Sequence, residues 1–131
     1  AVKRKGRDVT LLCYGAGYYL CREAAHALAR QQIEAEVVDL RSLKPLDMET
    51  VAGSIKKTHR TVIVHEACLT GGFGAELAAR IQDELFDELE APIKRVAARD
   101  VPIPFSPPLE DFVLPSAEDV IAAVRMIVRA P

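Results

Sequence analysis

The chain has 131 residues, a length typical of one domain, and half of them are apolar, which is enough to form a real core. The net charge of −2 gives no electrostatic reason to expect nucleic acid or an anionic membrane as a partner. No apolar run approaches the roughly 18–20 residues that a membrane span needs.

The chain starts with a basic segment, and we predict that residues 1–8 are the remnant of a linker behind a further domain. Val9 to Tyr14 is a β-rich apolar run closed by Gly15-Ala16-Gly17, which indicates a strand buried on both faces. Residues 18–31 have apolar residues at helical spacing, and residues 36–40 indicate a second strand.

The second half of the chain continues the alternation. Asp47 is a predicted N-cap for a helix that reaches Lys57, because its short side chain can accept a free backbone N–H. The later predicted elements are a strand at 61–64, a helix at 73–88, an edge strand at 93–97, a proline-rich extended or polyproline II segment at 101–115, and a helix capped by Ser116. Strands that alternate with helices predict a three-layer α/β sandwich with a mostly parallel sheet.

A polar pair, His65 and Glu66, ends the third strand and is followed by a glycine-rich turn. Ligands and partners dock at the carboxyl ends of strands in open α/β sheets. The pair could work as an acid and a base, could lie at a protein interface, or could only cap the strand. Neighbouring strand residues point to opposite faces and no nucleophile is evident, so an interface role is favoured over independent catalysis.

Two glycine turns leave an alternative open, a free-standing nucleotide- or anion-binding α/β module. Gly15 and Gly17 follow a strand, and Asp39 ends the next strand, as in a dinucleotide fingerprint, but Leu20 stands where a third glycine is required. The turn at 71–74 precedes a helix N-terminus that could bind an anion. It lacks the lysine of a P-loop.

An acidic run follows in the predicted third helix. The residues are Asp83, Glu84, Asp87, Glu88 and Glu90. Acids four apart share one face of a helix, so this run is either a solvated face or a docking patch for a basic partner. Glu90 is predicted to lie beyond the helix end.

Several segments together resemble one family along nearly the whole chain. They include Glu36 through Asp47, which contains Asp-Leu-Arg-Ser-Leu-Lys-Pro-Leu-Asp, His65-Glu66-Ala67, Gly71 through Glu76, which reads Gly-Gly-Phe-Gly-Ala-Glu, and Asp100-Val101-Pro102-Ile103-Pro104. This pattern is similar to the C-terminal, transketolase-type domain of the β subunit of thiamine-diphosphate-dependent 2-oxo acid dehydrogenases.

The resemblance implies a five-stranded mixed sheet over residues 9–131 and a preceding pyrimidine-binding domain that is absent from this chain. It implies that the full enzyme uses thiamine diphosphate and Mg and that this domain alone binds neither. It also implies that this chain has no catalytic, cofactor-binding or metal-binding residue. The implied partners are an α subunit, a second β subunit in an α2β2 heterotetramer, and the subunit-binding domain of a dihydrolipoyl acyltransferase.

The resemblance also guides the site residues and the substrate. His65, Glu66, Gly71, Gly72 and Gly74 are expected at a subunit interface, and the acidic run is expected to dock the acyltransferase. His65-Glu66-Ala67 resembles branched-chain enzymes and the later segment resembles the pyruvate type, so we expect a slight preference for branched-chain substrates. The expected compartment is the cytoplasm in a bacterium or archaeon and the mitochondrial matrix in a eukaryote.

Overall fold

A computed structural model describes residues 1–101 and 106–128. Its strands are β1 Val2–Arg4, β2 Val9–Cys13, β3 Ala35–Asp39, β4 Thr61–Cys68 and β5 Lys94–Ala98. Its helices are α1 Gly17–Ala29, α2 Met48–Thr58, α3 Phe73–Leu85, α4 Pro107–Val113 and α5 Ala117–Ile127, with a 3-10 turn at Phe86–Glu88. No helix in the described part of the chain is both long enough and apolar enough to cross a membrane.

The strands form one sheet in the order β1-β3-β2-β4-β5. β2, β3, β4 and β5 are parallel, and only β1 runs antiparallel, along the outer edge of β3. α1 and α5 pack on one face of the sheet, and α2 and α3 pack on the other. The three-layer α/β sandwich with a mostly parallel five-stranded sheet is therefore confirmed.

Both faces of the central strand are covered, which is why β2 reads as a continuous apolar run. All five of its residues are buried, and Leu11 and Leu12 belong to the cores on opposite faces. The polar exception, Thr10, hydrogen-bonds through its hydroxyl to Ser54 and Thr58 on α2, each at 2.7 Å. Buried hydroxyls that satisfy one another fix the helix against the sheet without leaving unpaired polar atoms.

A second buried polar contact joins β3, α2 and the connection between β1 and β2. The Glu36 carboxylate, 2% exposed, forms an ion pair with the Lys57 ammonium and accepts the backbone N–H of Gly6 at 3.1 Å. Burial raises the pKa of Glu36, but Lys57, the Ser54 hydroxyl and the Gly6 amide together outweigh it and hold that pKa below its usual value.

Two predicted segments differ from the structure, and two other stretches lie outside the described residues. Residues 2–4 form the edge strand β1 rather than a linker, because their backbone pairs with the open edge of β3. Pro107–Val113 is a helix rather than an extended segment: Pro107 and Pro108 occupy its first turn, where the missing N–H has no helical partner to lose. Residues 102–105 and 129–131, which carry part of the proline-rich segment and the end of the predicted domain, lie outside the described residues.

The caps explain two helix starts that were predicted correctly. Asp47 accepts the backbone N–H of Thr50 at 3.1 Å and begins α2. Ser116 and Asp119 form a reciprocal capping box at the start of α5. The third helix is shorter than predicted, because the α-helix ends at Leu85 and the chain tightens into the 3-10 turn.

Candidate functional site

The candidate site lies at the carboxyl end of β2, beside the last residues of β4. These strands are parallel neighbours, yet the chain leaves β2 toward α1 on one face and leaves β4 toward α3 on the other. Such a divergence is the topological switch point at which α/β sheets most often bind ligands or partners. His65 and Glu66 lie beside this point but within β4, because the strand that was predicted to end at Val64 continues to Cys68.

The two side chains point apart. His65 is completely buried, whereas Glu66 is half-buried on the other side of the strand. The His65 ring stacks on Tyr14, with ring centroids 5.7 Å apart and planes 19° from parallel. Tyr14 in turn meets the edge of Phe73 at 6.2 Å. His65 therefore belongs to a buried aromatic group and does not form an acid–base pair with Glu66.

The glycine turn is shaped around the His65 ring. The Gly74 backbone N–H donates to His65 Nε2 at 3.2 Å, and a Cβ atom on Gly74 would lie 2.2 Å from that nitrogen. A Cβ atom on Gly72 would lie 2.3 Å from the Cys68 carbonyl oxygen and 2.9 Å from His65 Cε1. Gly71 differs, because its φ of +75° needs glycine but its Cβ position is open space. Glycine is therefore required at positions 72 and 74 because neighbouring atoms leave no room for a side chain, and at position 71 because of its backbone conformation.

The environment keeps His65 neutral. Burial lowers the pKa of His65, the positive charge of Arg95 acts in the same direction, and the Ala67 backbone opposes them. Since Nε2 accepts a hydrogen bond, the neutral ring carries its proton on Nδ1. Within the described residues, Nδ1 has no hydrogen-bond partner. A fully buried ring cannot touch a partner protein, so the role of His65 is to support the glycine turn from inside the domain.

The exposed part of this region is residues 67–72, which we name the strand-end turn. Its shape is held from β5: Thr70 donates its backbone N–H to Asp100 at 2.9 Å, and Arg95 Nη1 donates to the Leu69 carbonyl at 2.9 Å. The Thr70 hydroxyl and N–H lower the pKa of Asp100. Ala67 to Gly71 are all exposed. The strand-end turn is thus a well-fixed projection that a partner could contact.

Glu66 lines a separate cavity of about 390 Å³ between the start of α1 and the start of α5. Glu23, Asp111 and Glu118 line the same cavity, and no Lys or Arg of the described chain does. These acids come from three regions far apart in the chain, near residues 23, 66 and 111–118, so no spacing in the sequence indicated that they would meet.

The acidic run divides into paired and unpaired members. Glu84 pairs with Arg80 at 3.3 Å and Glu90 with Arg60 at 3.2 Å, while Glu88 lies 3.9 Å from His59 Nδ1. Asp83 and Asp87 are exposed and make no ion pair within the described residues.

The helix end changes how this run is arranged. Asp83 lies in α3, whereas Asp87 lies in the 3-10 turn, so the predicted helical spacing of four does not hold across the junction. Between them Phe86 is 61% exposed. Glu90 lies beyond the helical residues, as predicted. The surface that remains free for a partner is Asp83, Phe86 and Asp87.

The two glycine turns offer little to a phosphate or a cofactor. Gly17 packs α1 against β4, since a Cβ atom there would lie 2.8 Å from the Val64 carbonyl oxygen, and the Gly74 N–H is already bound to His65. Both the N–H and the carbonyl of Asp39 bond to Ala1. In the described ranges no three His, Cys, Asp or Glu side chains are placed to hold a metal ion. These residues do not fit thiamine diphosphate with its metal.

Comparison with known proteins gives a consistent result. The family model described as "Transketolase, C-terminal domain" matches residues 1–120. The chain is 44% identical over 126 residues to a pyruvate dehydrogenase E1 component subunit beta of Rickettsia felis, covering 96% of this chain and 39% of that protein. A Porphyra purpurea protein with the same description is 43% identical over 129 residues, covering 98% of this chain and 39% of the relative.

Relatives also include a chloroplastic form from Oryza sativa and a mitochondrial form from Dictyostelium discoideum. The solved structure described as "Split gene transketolase, inactive beta4 tetramer" superimposes with a TM-score of 0.84 at 33% identity, covering 98% of this chain and 40% of that one. A 2-oxoglutarate:ferredoxin oxidoreductase from Magnetococcus marinus shares the fold alone, with a TM-score of 0.66 at 13% identity, covering 98% of this chain and 20% of that one. The chain spans about two-fifths of the length of the first two relatives.

Proposed function

The chain belongs to the transketolase C-terminal domain family, and we propose that it is the assembly domain of the β subunit of a pyruvate-type, thiamine-dependent 2-oxo acid dehydrogenase. One observation carries the proposal: the chain aligns along 96–98% of its length with β subunits described as pyruvate dehydrogenase components. The full enzyme would decarboxylate a 2-oxo acid and transfer the acyl group to a lipoyl group.

The chemistry of that enzyme lies outside this chain in the proposal. Thiamine diphosphate and Mg²⁺ would be held by an α subunit and by a pyrimidine-binding domain of the same β subunit. The geometry of the two glycine turns supports this assignment of the cofactor to other parts of the enzyme. Gly17 packs against the Val64 carbonyl and the Gly74 N–H is bound to His65, so neither turn is open to a phosphate group. The isolated domain is accordingly expected to be inactive.

The proposed substrate differs from the expectation drawn from the sequence. His65-Glu66-Ala67 suggested a slight preference for branched-chain 2-oxo acids, but the relatives do not support it, because they are described as pyruvate dehydrogenase components. The structure gives a reason why this tripeptide is a poor guide. His65 is buried under the glycine turn, where it packs against the domain's own residues.

Two exposed surfaces would serve assembly. The strand-end turn would contact another subunit, either α or a second β, and its rigid support from Asp100 and Arg95 suits an interface that must not reorganise on binding. The half-buried Gly72 and the buried Gly74, which pack against Cys68 and His65, would hold this surface in place, and Glu66 would face a partner from the separate cavity. The unpaired Asp83 and Asp87, with the exposed Phe86, would dock the subunit-binding domain of an acyltransferase.

The compartment in the proposal follows the host: the cytoplasm in a bacterium or archaeon, and an organelle in a eukaryote. The chloroplastic and mitochondrial relatives show that the expected matrix is one of two such organelles in this family.

The test is a kinetic comparison with the complete β subunit that contains this chain, combined with its α subunit, thiamine diphosphate, Mg²⁺ and a lipoylated acyltransferase. We expect kcat/KM for pyruvate to exceed that for 3-methyl-2-oxobutanoate by at least about tenfold, the lower end of what added methyl groups cost in an apolar pocket. Each subunit alone is the control and should be inactive. A higher value for the branched-chain acid, or no turnover of either, would refute the proposal.

A further inference from the structure

The buried histidine under the glycine turn has a property that the assembly role does not require. We propose that His65 is a proton-operated clamp: the neutral ring holds the glycine turn and the first turn of α3 against β4, and a proton added to the ring releases them. The inference concerns the chain's own conformation and is independent of the proposed substrate and partners.

The hydrogen bonding around the ring permits one protonation state. Nε2 accepts the N–H of Gly74 at 3.2 Å, so a proton on Nε2 would face that N–H and remove the bond. Nδ1 is buried and makes no hydrogen bond in the described part of the chain, and the Ala67 backbone near the ring favours an imidazolium less than burial disfavours it. An imidazolium buried without a hydrogen-bond acceptor is costly, and the structure must open to let water reach it.

The position of the ring adds to this cost. Gly74 is the second residue of α3, and the N-terminal end of a helix carries a partial positive charge that repels a cation. The ring also has no free space beside the turn into which it could move, because even a methyl group on Gly74 would come within 2.2 Å of Nε2. Release of the first turn of α3 is the smallest change that removes both conflicts.

Among the described side chains around the ring, none offsets its charge, and burial outweighs the one group that favours the protonated ring, the Ala67 backbone. From β2 the neighbour is the neutral phenol of Tyr14, and from β5 it is the cationic Arg95. On β4 itself Glu66 points the opposite way, and from α1 Gly17 approaches the His65 backbone at Cα and not the ring. The acid in the first turn of α3, Glu76, is exposed to solvent. Among the described residues, no carboxylate hydrogen-bonds to His65.

The direction of the pH effect follows from these contacts. Burial holds the pKa of His65 below its usual value of about 6.5, so the contribution of the clamp is complete above that pH. The contribution is lost as the pH falls below about 6.5 toward the lowered pKa. Because one proton is taken up, the equilibrium constant between the closed and the open turn changes by at most about tenfold per pH unit.

Hydrogen exchange between pH 8 and pH 5 tests the clamp. We expect the protection factors of amides 72–75 in the wild-type chain to fall below pH 6.5, by up to about tenfold per unit, while the amide of Leu12 in the central strand keeps its protection. His65→Gln can accept the Gly74 N–H but cannot take up a proton, so its turn should lose this pH dependence. The matched control is His26→Gln on the exposed face of α1, which should retain it.

Two results would overturn the clamp. One is a turn whose protection responds to pH in the same way in His65→Gln as in wild type. The other comes from an NMR titration of the wild-type chain, which needs no variant to fold: a His65 imidazole that titrates at or above its usual pKa would show that the buried neutral state is not favoured.

Discussion

Replacing Gly74 with alanine is the sharpest perturbation of the strand-end site, because it adds a single methyl group at its tightest point. That methyl carbon would lie 2.2 Å from His65 Nε2, 2.6 Å from Cδ2 and 3.4 Å from Ile63 Cγ2. The ring cannot move away freely, since it is fully buried and stacked on Tyr14. The helix must therefore shift outward and lengthen the bond from the Gly74 N–H.

The magnitude follows from three terms. Overpacking a filled site costs about 1–3 kcal/mol, and weakening one buried hydrogen bond costs about 1 kcal/mol. Alanine in place of glycine inside a helix returns about 0.5–1 kcal/mol. The net expectation is a loss of about 1–3 kcal/mol in the free energy of unfolding.

Urea unfolding at pH 8, followed by circular dichroism, measures this loss. Gly53→Ala is the matched control: Gly53 is an exposed glycine inside α2 with no atom within 4 Å of its Cβ position, so the same substitution should stabilise by about 0.5–1 kcal/mol. A Gly74→Ala variant as stable as wild type would refute the claim that the turn is packed against His65.

Two further predictions concern charges. Lys57→Met leaves the Glu36 carboxylate buried and unpaired, so we expect the free energy of unfolding at pH 7 to fall by about 3 kcal/mol. The control is Lys56→Met, which replaces an exposed neighbour and should change that free energy little. Equal effects of the two substitutions would show that the ion pair is unimportant. The lowered pKa of Glu36 also means that its contribution is present above its ordinary value and is lost as the pH falls through the lowered one, which the same unfolding series measures in acid. Asp87→Ala should slow association with the acyltransferase subunit-binding domain at low salt more than Glu90→Ala does, because Glu90 is already paired with Arg60. Surface plasmon resonance at two ionic strengths measures both association rates. Identical rates for the two variants would show that the acidic run is only a solvated face.

The parallel core was predictable because its elements are specified locally. Val9–Cys13 is apolar on both faces, Asp47 and Ser116 cap helices, and the buried stripe of α3 has a regular helical period. The edge strand Val2–Arg4 was not predictable in this way. Its three residues have no apolar alternation, and they become a strand only because β3 offers an unpaired edge.

Neither the true end of β4 nor the packing around His65 could be predicted from the sequence. β4 continues past His65 and Glu66 to Cys68, and the buried His65 ring stacks on Tyr14, which comes from a distant part of the chain. Prolines at 107 and 108 favoured an extended segment when read alone, although both are compatible with the first turn of a helix. A tertiary contact thus decided the environment of His65, whereas the helix at Pro107–Val113 is compatible with its own sequence.

The buried glycines also change how the proposed interface must be tested. Gly72→Val would clash with the Cys68 carbonyl and with His65 inside the domain, so a loss of assembly would not distinguish a damaged fold from a damaged interface. An exposed position in the strand-end turn avoids this problem. Ala67 is exposed at the end of β4, and Ala79 is exposed on α3 and serves as its control.

Sedimentation velocity of the α subunit mixed with the complete β subunit tests the central claim most directly. If the strand-end turn is the assembly surface, Ala67→Arg should prevent formation of the heterotetramer while the unfolding free energy of the domain stays within about 0.5 kcal/mol of wild type. Ala79→Arg should assemble like wild type. A heterotetramer formed equally well by Ala67→Arg would contradict the account.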